Sequence, residues 1–151
     1  MVPPNPEYIQ ALIEQVNGSP FPLHLGMQLV SIDLDRAQVA LTAGHQHLQP
    51  FGILHGGVVS ALIDTATFWS AFLRLPEDSG LVNIDLKLNY LRQIEAGSLI
   101  ADGRCIKAGR TISYAEASVK DAEGTLVAHG TSTLMALPGR GINVGKIKFS
   151  E

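Results

Sequence analysis

The sequence predicts an α+β fold in which one long helix packs against an antiparallel sheet. The stretch from His55 to Leu73 contains no proline and repeats apolar residues at helical spacing. Leu81–Leu91 alternates apolar and polar residues, as a strand with one buried face does, and three further strand candidates follow it. With 151 residues, the chain is expected to be a single domain whose core lies at about residues 20–137.

The remaining elements are predicted in chain order. A short N-terminal helix is expected over Pro6–Val16, followed by a loop at Ser19–Pro22. Strands are expected at Met27–Ile32, Ala37–Leu41, Leu81–Leu91, Ser98–Lys107, Thr111–Lys120 and Thr125–Leu137. Because the later connections are short, the last four strands are expected to form an antiparallel meander. The tail after Gly141 is expected to be loose or to pack on a neighbouring subunit.

Composition excludes several classes of function. A net charge of -3 and an isoelectric point near 5.9 provide no basic surface for nucleic acid. A membrane span is not expected, because Asp64 near its middle would cost about 2.5–3.5 kcal/mol on insertion scales. The first residues lack the pattern of a signal peptide, and the lone Cys105 fits a reducing compartment. We therefore expect a cytoplasmic protein without nucleic-acid or membrane partners.

The long helix is expected to be covered on both faces. Its apolar face carries Val59, Leu62, Ala66, Trp69 and Leu73. The opposite face carries small or weakly polar residues and one carboxylate, namely Gly57, Ser60, Asp64, Thr67 and Ala71. An exposed helix face normally carries Lys, Arg or Glu, and this one carries none. Because the sheet can cover only one face, we expect a second subunit on the other, with a site at the interface.

The helix also carries the candidate chemistry. A lone carboxylate such as Asp64 in a buried helix is either satisfied by structural hydrogen bonds or functional, and the helix alone does not decide. The pair Gly56–Gly57 after His55 begins the helix, where free N–H groups can polarise a carbonyl oxygen. A glycine turn entering a helix is the simpler explanation of that pair. Gly57 and Asp64 are predicted to share a helix face, about 10 Å apart along the axis.

The spacing of these residues resembles that of a known family. The pattern Gln49-x-x-Gly52-x-x-His55-Gly56-Gly57, with Asp64 nine residues after His55, is similar to the hotdog-fold acyl-CoA thioesterases of the PaaI-like group, in the 4-hydroxybenzoyl-CoA thioesterase superfamily. Residues 83–92, 107–110 and 124–134 resemble the third strand, the basic hairpin and the last strand of that family. The resemblance implies a hotdog fold, in which the antiparallel sheet wraps around the central helix.

The resemblance also implies roles for individual residues. Asp64 would be the nucleophile or the general base for water, and the Gly57 N–H would polarise the thioester carbonyl. Gln49 and His55 would support that end of the site, and Asn83 would hold the attacking water where relatives often carry Ser or Thr. Substrate would be bound by Gly56 and by three cations facing the CoA phosphates, Arg92, Lys107 and Arg110. Ordinary solvated hairpin charges explain these cations equally well.

The sequence therefore predicts an acyl-CoA thioesterase that acts as a homodimer with interface active sites, and that forms a homotetramer as many relatives do. No cofactor or metal is expected, because His45 and His47 have no acidic or thiol neighbour to complete a metal site. Two alternatives stay open, a hotdog hydratase or dehydratase and a non-catalytic acyl-CoA-binding protein. The acyl group is not identified by the sequence.

Overall fold

Residues 2–150 are described in a computed structural model of the chain. Helix α1 spans Pro6–Asn17, α2 spans Pro20–Leu25 and the long α3 spans Gly56–Phe72. The six strands are β1 (Met27–Asp33), β2 (Arg36–Ala43), β3 (Ser79–Tyr90), β4 (Gly97–Ala108), β5 (Ile112–Lys120) and β6 (Leu126–Pro138). Among these elements, no helix has both the length and the apolar character needed to cross a bilayer.

All six strands form one antiparallel sheet that wraps around α3. The strand order is β1-β2-β4-β5-β6-β3, and α3 contacts every strand. The buried core lies between the inner face of the sheet and the apolar side of α3, and it includes Tyr8 and Leu12 of α1. The predicted α+β architecture, with a central helix and a short N-terminal helix, is confirmed.

The predicted four-stranded meander is wrong at one connection. Strands β4, β5 and β6 do form a meander, but β3 pairs with β6, and β4 pairs with β2. The connection at residues 91–96 crosses the beginning of α3 instead of making a hairpin, and there the Leu54 N–H donates to the Ile94 carbonyl at 2.6 Å. Wrapping the helix therefore separates two strands that are neighbours in sequence.

A β-bulge in β3 changes which side chains face α3. One extra residue is inserted between Asn83 and Asp85 relative to β6, so the alternation of the strand changes phase at Ile84. Asn83 turns towards the helix, whereas the predicted alternation placed it on the same face as Asp85. Ile84 is 53% exposed, although the pattern placed it with the half-buried Leu86. Because of the bulge, the polar side chain of Asn83 points towards α3.

The sheet covers more of α3 than the sequence predicts. Thr67 and Ala71 belong to the face expected to need a second subunit, yet both are fully buried within the chain. The Thr67 hydroxyl lies 2.7 Å from the Ser132 hydroxyl of β6. Only the first half of that face, from Gly57 to Asp64, retains contact with solvent.

Two terminal segments also differ from prediction. The region expected to be a loop at Ser19–Pro22 begins α2, because prolines are tolerated in the first turn of a helix. The C-terminal tail is not loose, since Lys148 is fully buried at the end of α3. Its Nζ donates to the Phe72 and Leu75 carbonyls at 3.0 and 2.7 Å.

Candidate active site

Hydrogen bonds of His47 hold the segment before α3 in place. Its buried ring accepts a hydrogen bond from the Gly44 N–H at 3.0 Å on one nitrogen and lies 2.7 Å from the Leu25 carbonyl on the other. The His47 carbonyl in turn accepts from the His55 N–H at 2.8 Å. His47 therefore positions the entry to the helix. Across residues 2–150, no three His, Cys, Asp or Glu side chains are grouped so as to hold a metal ion.

His55 caps α3 with its own side chain. The Gly57 N–H donates to His55 Nδ1 at 2.7 Å. Because Nδ1 accepts, a neutral ring carries its proton on Nε2, which is then a donor. A Cβ on Gly57 would lie 2.8 Å from Nδ1, so the cap requires glycine there. The N–H predicted to polarise a carbonyl is thus already bonded to His55 in this conformation.

The free N–H at the start of α3 belongs to Gly56. No acceptor for it occurs in the part of the chain that the structure describes. The Tyr90 ring packs over Gly56 so closely that a Cβ would lie 3.1 Å from the ring atoms. Both residues line a cavity of about 420 Å³, together with Gln49 and Arg92. Such an N–H beside a cavity can bind a carbonyl oxygen or an anion.

Asp64 lies in the middle of α3 and is half-buried. Asn83 Nδ2 donates to Asp64 Oδ2 at 3.1 Å and to the Asp64 backbone carbonyl at 3.3 Å. Burial raises the pKa of the Asp64 carboxyl, and the hydrogen bond from Asn83 lowers it by less. A positioned carboxylate with a raised pKa is suited to take a proton or to attack a carbonyl carbon.

The start of α3 and Asp64 are too far apart to act together within one chain. Gly56 and Asp64 are separated by about 12 Å along the helix axis. The first N–H groups of a helix point beyond its beginning, away from later residues. An attacking group and an oxyanion donor must both lie about 3 Å from one carbonyl group. Although Gly57 and Asp64 are predicted to share a helix face, a single chain therefore does not place an oxyanion donor and Asp64 around one carbonyl group.

The three predicted cations lie at opposite ends of the sheet. Arg92 follows β3 at the cavity, and its Nη1 lies 3.7 Å from Asp121 Oδ2. Lys107 and Arg110 lie at the β4–β5 hairpin. Strand β5 separates the two ends, and its nine residues span about 26 Å. One chain does not bring Arg92 and Arg110 together.

Two features of the site region carry no signal in the sequence. The alternating pattern assigns Tyr90 to an apolar strand face. Its contact with Gly56 depends on how the sheet wraps around α3, which the pattern does not predict. Thr67 and Ser132 are separated by 65 residues, and no spacing links them. The Thr67 hydroxyl lies 3.0 Å from the Asp64 carbonyl, so this buried pair supports the turn that carries Asp64.

Comparison with known proteins assigns the family. The sequence profile described as "Thioesterase superfamily" matches residues 51–128, which include the start of α3, Asp64 and Asn83. This chain belongs to the thioesterase superfamily. Its enzyme class is accordingly that of a thioester hydrolase, as predicted.

Individual relatives and one solved structure resemble the chain along most of its length. A relative from Haemophilus influenzae is 31% identical over 114 residues, covering 76% of this chain and 83% of that protein. The 1,4-dihydroxy-2-naphthoyl-CoA hydrolase of Listeria monocytogenes is 29% identical over 97 residues, covering 64% of this chain and 79% of that protein. The crystal structure of a Haemophilus influenzae thioesterase has a TM-score of 0.81 and 28% identity, covering 91% of this chain and 96% of that one. The predicted hotdog fold is confirmed.

Proposed function

We propose that the protein hydrolyses acyl-CoA thioesters, with Asp64 as the nucleophile or the general base. The observation that carries this proposal is the half-buried Asp64 carboxylate, which Asn83 holds against β3. In the reaction, the oxygen of water bonds to the carbonyl carbon, the C–S bond breaks, and CoA leaves as the thiol. Asp64 takes the proton of water, or attacks first and is then released by water. The CoA-thioester hydrolase named among the relatives supports this class of substrate.

The complete site forms between two subunits in this proposal. Strand β3 is an edge strand of twelve residues, and its Ile84 and Tyr90 side chains are 53% and 58% exposed. A long edge with exposed apolar side chains is a template for pairing. If β3 pairs antiparallel with its copy, the two α3 helices also run antiparallel. The start of one helix then lies beside the middle of the other.

Each half of the site has a role in this arrangement. The Gly56 N–H and the His55 Nε2–H polarise the carbonyl, while Asp64 of the partner subunit acts on its carbon. Gly57 contributes through its N–H, which donates to His55 Nδ1 and so orients the ring. Gln49 lines the cavity of about 420 Å³ beside Gly56. Antiparallel pairing also places the hairpin end of one sheet beside the Arg92 end of the other. Arg92 and the hairpin cations, Lys107 and Arg110, can therefore face the phosphates of the same CoA.

Two further predictions from the sequence, assembly of dimers into a homotetramer and a cytoplasmic location, are retained here as proposals. The reaction proposed above uses side chains and water, and it needs no cofactor.

Release of free thiol from a panel of aryl- and fatty acyl-CoAs tests the function. The wild type should release CoA, and Asp64→Asn should lower kcat at least about a hundredfold with little change in KM. Asp85→Asn, at an exposed position of β3, is the matched control and should stay near the wild-type rate. Burial raises the pKa of Asp64, so ionisation of this carboxyl at neutral pH lowers the free energy of unfolding. The amide of Asp64→Asn is neutral and lacks this cost, so the variant should be at least as stable as the wild type. Near wild-type hydrolysis by folded Asp64→Asn would contradict the assignment.

A further inference from the structure

The side chain of Tyr90 lies at the candidate site, and its hydroxyl is not used by the fold. Tyr90 is the last residue of β3, and it points towards α3 as Leu88 does two residues earlier. Its side chain is exposed and lines the cavity of about 420 Å³ beside Gly56. Within residues 2–150, no hydrogen-bond partner of the hydroxyl occurs. Tyr90 therefore has a free O–H group at the wall of this cavity.

The hydroxyl lies close to the free N–H of Gly56. A Cβ on Gly56 would lie 3.1 Å from Tyr90 Oη. A Cβ is about 2.5 Å from the nitrogen of its own residue, so Oη lies no more than about 5.6 Å from Gly56 N. Two donors that bind one oxygen, each at about 2.9 Å, are separated by up to about 6 Å. The Gly56 N–H and the Tyr90 hydroxyl can therefore donate to the same oxygen atom.

The two donors also lie on the same side of the helix end. The first N–H groups of a helix point beyond its beginning, and the Cα–Cβ bonds are tilted towards the same end. Tyr90 Oη, which lies next to the position of a Gly56 Cβ, is therefore on the side to which the Gly56 N–H points. Because the Tyr90 ring packs against Gly56, contact with the helix backbone limits where its hydroxyl can lie.

The proposed dimer brings this hydroxyl to the reacting carbonyl. Within one chain, Tyr90 lies over Gly56, and Asn83 contacts Asp64. If the start of one α3 lies beside the middle of the other, antiparallel pairing of β3 with its copy places Tyr90 beside Asn83 of the partner subunit. Tyr90, Gly56 and Asp64 of the partner subunit then surround one carbonyl group.

A third donor becomes useful only when the carbonyl is attacked. A carbonyl oxygen has two lone pairs, which the N–H groups of Gly56 and His55 can occupy in the proposed site. Attack by water or by Asp64 moves the π electrons of the C=O bond onto this oxygen, which becomes an oxyanion with three lone pairs. We propose that the Tyr90 hydroxyl donates the third hydrogen bond to this oxyanion and keeps its own proton throughout. This role rests on the proposed function, and it is the same whether Asp64 is the nucleophile or the general base.

Removal of the hydroxyl alone tests this role, with whichever acyl-CoA of the panel the wild type hydrolyses fastest. Tyr90→Phe keeps the ring that packs over Gly56 and should lower kcat at least about tenfold, because an oxyanion donor is lost from the transition state. KM should change little, since this hydrogen bond is not made to the bound substrate. Tyr114→Phe, at an exposed position of β5, is the matched control and should keep the wild-type kcat.

A second variant separates the hydroxyl from the ring. Tyr90→Leu removes both, and it should lower kcat at least as much as Tyr90→Phe does. Both variants should sediment as the wild type does. If Tyr90→Phe keeps the wild-type kcat while Tyr90→Leu loses activity, the ring matters and the role of the hydroxyl is overturned.

The remaining outcomes separate this inference from the proposed function. A loss of kcat in Tyr90→Phe that accompanies dissociation into monomers would overturn the role of the hydroxyl and leave the proposed function standing. If the wild type releases thiol and Tyr90→Phe matches it in kcat and KM, only this inference fails. If the wild type hydrolyses no acyl-CoA at all, the proposed function fails first and this inference fails with it.

Discussion

Asn83 joins the chemistry of Asp64 to the backbone of β3. Its amide nitrogen contacts both the carboxylate and the backbone carbonyl of Asp64, so one side chain fixes the group and the helical turn that carries it. Its own Oδ1 is buried and has no partner within residues 2–150. A buried acceptor of this kind is normally satisfied by a water molecule, and the Asn83 amide oxygen beside Asp64 is suited to hold the attacking water of the proposed reaction.

Removal of the Asn83 amide should move the pH dependence of hydrolysis. Burial raises the pKa of Asp64 and Asn83 lowers it, so Asn83→Ala should raise that pKa further. The acidic limb of the kcat/KM profile should then shift to higher pH, since the carboxylate must be ionised to act. Asn89→Ala, at an exposed position on the same strand, is the control. If the acidic limb of the Asn83→Ala profile lies at the same pH as in the wild type, Asn83 does not lower the pKa of Asp64.

Spacing predicts the site residues better than it predicts their contacts. The helical period relates His55, Gly56 and Asp64 directly, because they lie on one regular element. The bond between Gly57 and the His55 ring depends on a side-chain rotation that no spacing encodes. The contact between Asn83 and Asp64 depends on a bulge, and one extra residue in an alternating strand leaves no mark in the sequence.

At the scale of elements, the end of α3 is closed by a side chain from the C-terminal tail. The last carbonyls of a helix lack partners and carry partial negative charge, so a cation there is favourable. Lys148 Nζ donates to the carbonyl of Phe72, the last residue of α3, and to that of Leu75 just beyond the helix, and it lies 4.3 Å from the centre of the Phe72 ring. Burial nevertheless lowers the pKa of Lys148 to about 8, and the nearby Glu77 carboxylate raises it by less.

This buried amine should make stability rise with pH. Between about pH 8 and pH 10 the unfolded Lys148 binds a proton that the folded one has largely released, so the free energy of unfolding increases over that range. The increase should be on the order of 2 kcal/mol relative to Lys148→Met, which cannot titrate. Urea unfolding of both proteins at pH 8 and pH 10 measures the difference. Equal changes in the two proteins would contradict the burial of a titrating amine.

Local patterns predict the elements but not the order of the strands. The periods in the sequence identify α3 and all six strands, because each period reflects one buried face. The pairing of β3 with β6 reflects closure of the sheet around the helix, which depends on the whole chain. The loop predicted at Ser19–Pro22 fails for a local reason, since proline marks both loops and the first turns of helices.

For the whole molecule, the proposed shared site makes dimerisation a condition of activity. Ile84→Arg introduces a charge at the β3 edge and should shift the protein from dimer to monomer in analytical ultracentrifugation. Hydrolysis should fall with it, because Asp64 would lose the opposite half of its site. Ile100→Arg, at a position 44% exposed on β4, is the matched control and should stay dimeric and active. An active wild-type monomer would refute the shared site.

Mixed dimers provide a second measurement of the same arrangement. Asp64→Asn and His55→Ala subunits should each be weakly active alone. A mixed dimer would contain one site with both intact residues, so random pairing should restore about a quarter of wild-type activity. No recovery after unfolding and refolding the two variants together would place both residues in the same subunit's site.

The hydrogen bond between the Asn5 N–H and the Lys148 carbonyl, at 2.9 Å, holds the first and last described segments side by side, and Pro4 forms a bridge with Phe149. A short Gly-Ser linker could therefore join Pro4 to Phe149 without displacing either segment. New ends could then be opened in the exposed turn between Ala122 and Glu123, far along the chain from α3. Such a circular permutant should unfold within a few degrees of the wild type and retain its kcat/KM. Scanning calorimetry and thiol release would measure both, and a permutant that folds but is inactive would show that chain order matters to the site as well as to the fold.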